Sequence, residues 1–165
     1  MVKSGKKCFF LRGYGGAVFR GVAELNLDSK GRLAVPARYR EAIAARCAGR
    51  LVVTADSDRC LLIYPLPDWE PIQQKLMGLS SFNPRIRDLQ RRLIGYAEDV
   101  EMDGAGRILV SAALRGYAGL AKSVVLAGQG SKFELWDAVQ WREILERAAG
   151  FGDGDLPPEL EGFSL

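Results

Sequence analysis

The chain contains no histidine. That absence removes His-ligated metal centres and every catalytic arrangement that needs an imidazole base. Cysteine is scarce too. Cys8, Cys47 and Cys60 are odd in number and have no metal-type spacing, so they describe neither a disulfide framework nor a zinc site. Free thiols of this kind fit a reducing cytoplasm. No apolar run approaches the length of a membrane span, and Cys8–Leu11 is too short for the hydrophobic part of a secretion signal. Carboxylate, Cys and Ser side chains form no catalytic cluster. Glu98, Asp99, Glu101 and Asp103 lie close together, but along a strand they read as a solvated face rather than a divalent-ion site. The chain is therefore expected to be no enzyme and to carry no cofactor and no metal.

What is present is an uneven distribution of charge over 165 residues. Residues 1–20 hold Lys3, Lys6, Lys7, Arg12 and Arg20 and no acid. Residues 30–50 set Lys30, Arg32, Arg38, Arg40, Arg46 and Arg50 against Glu41 alone. Residues 96–165 carry 12 acids against 6 cations. A basic first part beside an acidic second part points to a polyanion partner for the first. The plainer reading is a solvated charged surface.

One motif occurs twice, 75 residues apart. Asp28-Ser29-Lys30-Gly31-Arg32-Leu33-Ala34-Val35 is answered by Asp103-Gly104-Ala105-Gly106-Arg107-Ile108-Leu109-Val110. Leu25 and Leu27 correspond to Val100 and Met102, and Arg40 to Arg115. Leu61–Tyr64 and Trp69 find echoes in Phe133–Trp136 and Trp141, offset by 72. In each copy an Asp can accept from amides two residues on, and a Gly supplies positive φ. Asp28, Gly31, Asp103 and Gly106 are thus turn-shaping residues. Strands at 22–27 and 32–35 read as a hairpin, followed by a helix that opens at Pro36 and stops at Gly49. Tyr39, Ile43 and Cys47 mark its buried stripe. Strands at 51–54 and 60–64 follow. Asp68 is expected to cap a helix through Trp69, Ile72, Leu76 and Leu79. A linking helix capped by Asn83 comes next, and the pattern then repeats with strands at 98–103, 107–110, 123–127 and 133–136 and helices from Ser111 and over 138–149.

The two D-x-x-G-R turns, with Phe19-Arg20-Gly21, Pro36-x-Arg38-Tyr39-Arg40, Leu62-Ile63-Tyr64-Pro65, Arg91-Arg92-Leu93, Leu114-Arg115 and Glu134-x-Trp136-Asp137, resemble the MraZ family of tandem swapped-hairpin AbrB-type repeats. The resemblance runs from about Phe19 to Trp141. It implies a mixed α/β, β-rich fold in which two pseudo-symmetric modules form a compact barrel with peripheral helices. The expected organisation is a flexible basic leader (1–18), a first module (19–81), a linking helix (82–96), a second module (97–149) and a flexible tail (150–165). The family's chain begins near Phe19, which sets residues 1–18 apart, whether as an extra stretch or as a functional basic arm. The resemblance further implies a cytoplasmic, nucleoid-associated transcription regulator of the division and cell-wall gene cluster. Its partners would be double-stranded DNA, at short direct repeats in a promoter, and further copies of itself in a ring. No membrane partner is implied. The family's DNA contacts map to Lys30 and Arg32. Ser111 and Ala113 stand where the first copy has Pro36 and Arg38, a departure that bears on DNA contact by the second copy.

Residue chemistry agrees with that assignment. A turn cannot bury two long cations, so Lys30 and Arg32 face water or a partner. Arginine grips guanine or phosphate bidentately, and lysine suits phosphate as a point charge. The plainer reading is a soluble turn with a local Asp28–Arg32 pair. Arg38 and Arg40 stand about 200° apart around a helix. Arg40 recurs as Arg115 and is expected to be structural, for instance paired with an acid, whereas Arg38 has no counterpart and joins the DNA candidates. Arg85, Arg87, Arg91 and Arg92 read as packing between modules or subunits. The competing functional class is a protein-interaction or antitoxin-like ring with no specific DNA target, for which the acidic tail could supply a partner segment.

Overall fold

In a computed structural model, residues 17–149 and 157–160 are described. The leader and tail expected from the sequence fall outside the described residues, apart from residues 17–18 and a single 3-10 turn, Pro158–Leu160. The elements run β1 (Phe19–Asn26), β2 (Arg32–Ala34), α1 (Ala37–Cys47), β3 (Arg50–Ala55), β4 (Leu61–Pro65), α2 (Leu66–Met77), α3 (Pro84–Leu93), β5 (Glu98–Glu101), β6 (Arg107–Leu109), α4 (Ala112–Tyr117), β7 (Ser123–Gly130), β8 (Phe133–Asp137) and α5 (Ala138–Ala149). The fold is mixed α/β and rich in strands. Among the described residues no helix is long and apolar enough to cross a membrane.

Strand pairing exchanges the two copies of the repeat. β1 of the first copy lies antiparallel to β7 of the second, with Leu25 opposite Val124. β5 of the second copy lies against β3 of the first in the matching register, with Val100 opposite Leu51. β2 and β6, the short strands after the two turns, pair with each other, and Leu33 sits opposite Ile108. The hairpin expected between residues 22–27 and 32–35 is corrected accordingly: β1 and β2 share only an isolated bridge, Leu27 to Leu33.

The expected compact barrel is not confirmed. The six-stranded sheet runs β1-β7-β8-β4-β3-β5 and ends in two edges. β1 and β5 form those edges, and the chain turns out of the sheet after each of them. It then enters the separate two-stranded β2–β6 ribbon.

Both faces of the sheet are covered, so its inner strands read as continuous apolar runs rather than alternating ones. On one face Leu51, Val53, Leu61, Ile63, Val124, Leu126, Phe133 and Leu135 pack with Leu33 and Ile108 of the ribbon and with Tyr39, Ile43 and Leu114 of α1 and α4. On the other face Val52, Leu62, Tyr64, Val125 and Trp136 meet Trp69 and Leu76 of α2, with Leu89, Leu93, Trp141 and Ile144 of α3 and α5 packed against them. The stripe of Tyr39, Ile43 and Cys47 is buried as expected. Trp69 and Trp136 are core residues. Cys47 and Cys60 are free, buried thiols, and burial raises the pKa of both.

Several local expectations need adjustment. Pro36 is the N-cap of α1 rather than its first residue. α2 begins at Leu66 with Pro65 as N-cap. Asp68 therefore lies inside the first turn, where its carboxylate accepts from Arg46 Nη2 at 2.7 Å. Asn83 does cap α3, its Oδ1 accepting from Arg85 N at 3.0 Å. Of the α3 arginines, Arg91 pairs with Asp88 on its own helix at 3.0 Å. Among the described residues none pairs with the acids at 98–103.

Leu33 and Ile108 are 0% and 1% exposed and tie the two copies together at the ribbon. Leu33→Ala and Ile108→Ala should each cost about 2–5 kcal/mol. In denaturant unfolding the double variant should depart from the sum of the singles by at least about 0.5 kcal/mol. Strict additivity would contradict direct packing across the copies.

Candidate nucleic-acid interface

The first turn is built around one carboxylate. Asp28 Oδ1 accepts from the Lys30 and Arg32 backbone N–H groups, both at 2.9 Å. Its Oδ2 accepts from Arg32 Nε at 2.6 Å. Gly31 N donates to Asp28 O at 3.0 Å, and Asp28 N to Arg32 O at 3.0 Å. Gly31 itself holds φ +82°, a conformation that costs a side chain about 1–2 kcal/mol. The second turn repeats these bonds. Asp103 Oδ1 accepts from the Ala105 and Arg107 N–H groups at 2.9 Å, and its Oδ2 accepts from Arg107 Nε at 2.9 Å.

Each carboxylate is held below its ordinary range. The Arg32 N–H acts first on Asp28, together with the Arg32 guanidinium and the Lys30 N–H, against desolvation. The pKa is lowered from 3.8 to about 2. Asp103 is lowered likewise, chiefly by the Arg107 N–H.

Each turn is clamped by the opposite copy. Val110 N donates to Gly31 O at 2.9 Å, and Val35 N to Gly106 O at 2.8 Å. Arg115 donates through Nε to Val110 O at 3.1 Å and Arg40 to Val35 O at 2.8 Å. Their guanidinium groups lie over the glycines. A Cβ on Gly31 would come within 2.7 Å of Arg115 Nε, and one on Gly106 would overlap Arg40 still more closely. Arg40 and Arg115 are thus structural, as their repetition suggested, but their partners are backbone carbonyls and the facing turn rather than an acid.

This geometry is compatible with either reading of Arg32. Asp28 takes Nε only, so the ion pair and an outward-facing guanidinium coexist. Among the described residues nothing bonds the two terminal nitrogens, and the side chain is 32% exposed. Lys30 is exposed and, among the described residues, has no acidic partner. Asp28, Lys30, Gly31 and Arg32 therefore form one unit. Arg38 stands apart from it. Its Nη2 donates to Val22 O at 3.4 Å, and its guanidinium lies 4.8 Å from the Tyr39 ring centre. Those contacts place it along β1.

Differences between the turns lie in what surrounds the shared frame. Ser29 and Lys30 of the first turn are Gly104 and Ala105 in the second. Arg38 beyond the first turn is Ala113 beyond the second. Sequence reasoning missed the clamp by Arg40 and Arg115. Their matching positions were a usable signal, but the register that brings each to the opposite turn was not, even with the resemblance to swapped-hairpin repeats.

Comparison with known proteins gives a consistent picture. The family described as "MraZ protein, putative antitoxin-like" matches twice, over residues 18–92 and 93–154. The Transcriptional regulator MraZ of Nitrosomonas eutropha is 66% identical over 148 residues, which covers 90% of this chain and 100% of that protein. Its namesake in Nitrosomonas europaea is 62% identical with the same coverage. In Escherichia coli O9:H4 the protein of that name is 51% identical over 152 residues, covering 90% and 100% of the two chains.

The depressed Asp28 pKa has a definite sign. A carboxylate lowered in the folded state contributes stability that is complete above its unfolded pKa and lost as pH falls through its folded one. The melting-temperature gap between wild type and Asp28→Asn should be constant above about pH 5 and shrink from about pH 4 towards pH 2. Thermal melts across that range check it. A gap independent of pH would mean that the Asp28 charge does not hold the turn.

Proposed function

The chain belongs to the MraZ family, and we propose that it is a transcription regulator that binds double-stranded DNA through its first turn. The observation that carries this reading is the difference between two turns of matching backbone. Both hold an arginine by Nε, but only the first adds an exposed lysine. The names of the relatives, all transcriptional regulators, support the same reading.

In this reading Arg32 presents its terminal nitrogens to a base edge or phosphate, and Lys30 neutralises a neighbouring phosphate. Arg38 meets the backbone further along, from its place beside β1. One turn reads few bases, so a single protomer binds weakly. Several protomers on short direct repeats, arranged in a ring, gain affinity through effective concentration. The modules at 19–81 and 97–149, joined by the helix at 82–96, supply each protomer with one cationic turn. The targets are promoter repeats of the division and cell-wall gene cluster, and the protein acts in the cytoplasm at the nucleoid. The alternative is an antitoxin-like interaction ring, favoured by the family description.

Fluorescence anisotropy with DNA from upstream of the protein's own gene separates the two. Wild type should prefer that duplex to a scrambled one and lose affinity steeply with salt. Arg32→Ala should abolish the preference, a loss of about 1–3 kcal/mol per base contact. Arg38→Ala should weaken both duplexes alike. Equal, weak binding of wild type to both duplexes would favour the interaction ring.

A further inference from the structure

A cleft of about 530 Å³ opens beside the first turn, lined by Leu27, Asp28, Ser29, Arg115, Ala121 and Lys122 among others. Both cations of its lining come from the second copy of the repeat. Lys122 reaches this place because its carbonyl accepts from Leu27 N at 2.9 Å, next to the turn. Its side chain is exposed and, among the described residues, has no acidic partner. Arg115 is anchored through Nε on Val110 O, so it gives the cleft wall a fixed positive charge. The one acid in the lining, Asp28, is already occupied by Arg32 and by two backbone N–H groups.

The matching place beside the second turn keeps an arginine, Arg40, but lacks the lysine and the hydroxyl. There Met102 N donates to Gly49 O at 2.9 Å, the counterpart of the Leu27–Lys122 bond. Gly49 therefore stands where Lys122 stands, and Gly104 stands where Ser29 does. The next residue, Arg50, faces Glu101 in the strand register. A lysine and a hydroxyl have been placed around one turn of a pair whose backbones match. Mobile lysine, fixed arginine and serine hydroxyl together are the chemistry that holds a phosphate.

We propose that this cleft seats a backbone phosphate of the same duplex that the first turn reads, with Lys122 as its principal contact. The proposal rests on the DNA-binding reading of that turn and extends it. The DNA surface is composite, and the acidic second copy contributes a cation to it. Lys122 carries no base information, so its effect is on affinity and not on sequence preference.

The test is a salt titration of binding to the upstream and scrambled duplexes, comparing wild type with Lys122→Gln, Arg32→Ala and Lys75→Gln. Lys75 is an exposed lysine on α2, at the far face of the sheet, and serves as control. Lys122→Gln should weaken both duplexes by about threefold to tenfold and reduce the slope of log K against log salt by about 0.9. Lys75→Gln should leave the slope unchanged. A wild-type slope in Lys122→Gln overturns the phosphate seat, as does an equal change in Lys75→Gln. If Arg32→Ala has lost sequence preference in that experiment, the reading of the turn stands without the seat. If Arg32→Ala binds as wild type does, the underlying reading itself falls.

Discussion

Neither tight turn in this protein is complete without the other copy of the repeat. The carbonyl of each turn glycine is taken by a backbone N–H across the β2–β6 ribbon, and an arginine from the opposite copy covers the glycine. The rest of the arrangement follows from that constraint. The strands leading into the turns must lie against the other copy's sheet strands, as β1 does on β7 and β5 on β3. The strands leading out must meet each other, which buries Leu33 against Ile108. With the outgoing strands in the ribbon, the main sheet keeps two open edges instead of closing. Helices then cover its faces, and the turns are left at the surface on a rigid support.

That support matters for a side chain asked to meet a ligand. A flexible arginine would lose rotamer freedom on binding, whereas Arg32 is already held at Nε by Asp28. Asp28 is in turn kept ionised by the amides it accepts from. The carboxylate that looks like a neutralising partner is better understood as an orienting one. It fixes one edge of the guanidinium and leaves the other edge available. Because the second turn shares this device, the device alone does not distinguish the copies. The difference is made by the groups around it: Ser29, Lys30 and Lys122 against Gly104, Ala105 and Gly49.

Much of this was legible in the sequence, but not all for the same reason. The duplicated Asp-x-x-Gly-Arg pattern marked both turns, since a turn of this type needs an acceptor and a positive-φ residue at set positions. The helical stripe of Tyr39, Ile43 and Cys47 marked α1 because its period is local. Pairing was not legible from the residue pattern itself; only the resemblance to swapped-hairpin repeats implied an exchange. A β1–β2 hairpin and the exchanged β2–β6 ribbon demand the same residues, and only the tertiary context separates them. The compact barrel is not confirmed, because the six-stranded sheet ends in two edges. Asp68 showed a similar limit, since its carboxylate suits both a cap and an ion pair, and Arg46 decided the matter from another helix. Lys122 was invisible as a site residue because it lies far along the chain, in a segment whose overall charge is negative.

The central claim is that two turns of matching geometry have unequal roles in the proposed DNA contact. Placing Arg107→Ala beside Arg32→Ala tests it most directly, with affinity for the upstream duplex measured at one salt concentration and folding checked by thermal melts. The account predicts that Arg107→Ala keeps sequence preference and most of the affinity, while Arg32→Ala loses both. Equal losses in the two variants would contradict it, because the shared Asp–Arg device would then be sufficient for DNA contact and the surrounding lysines irrelevant to it.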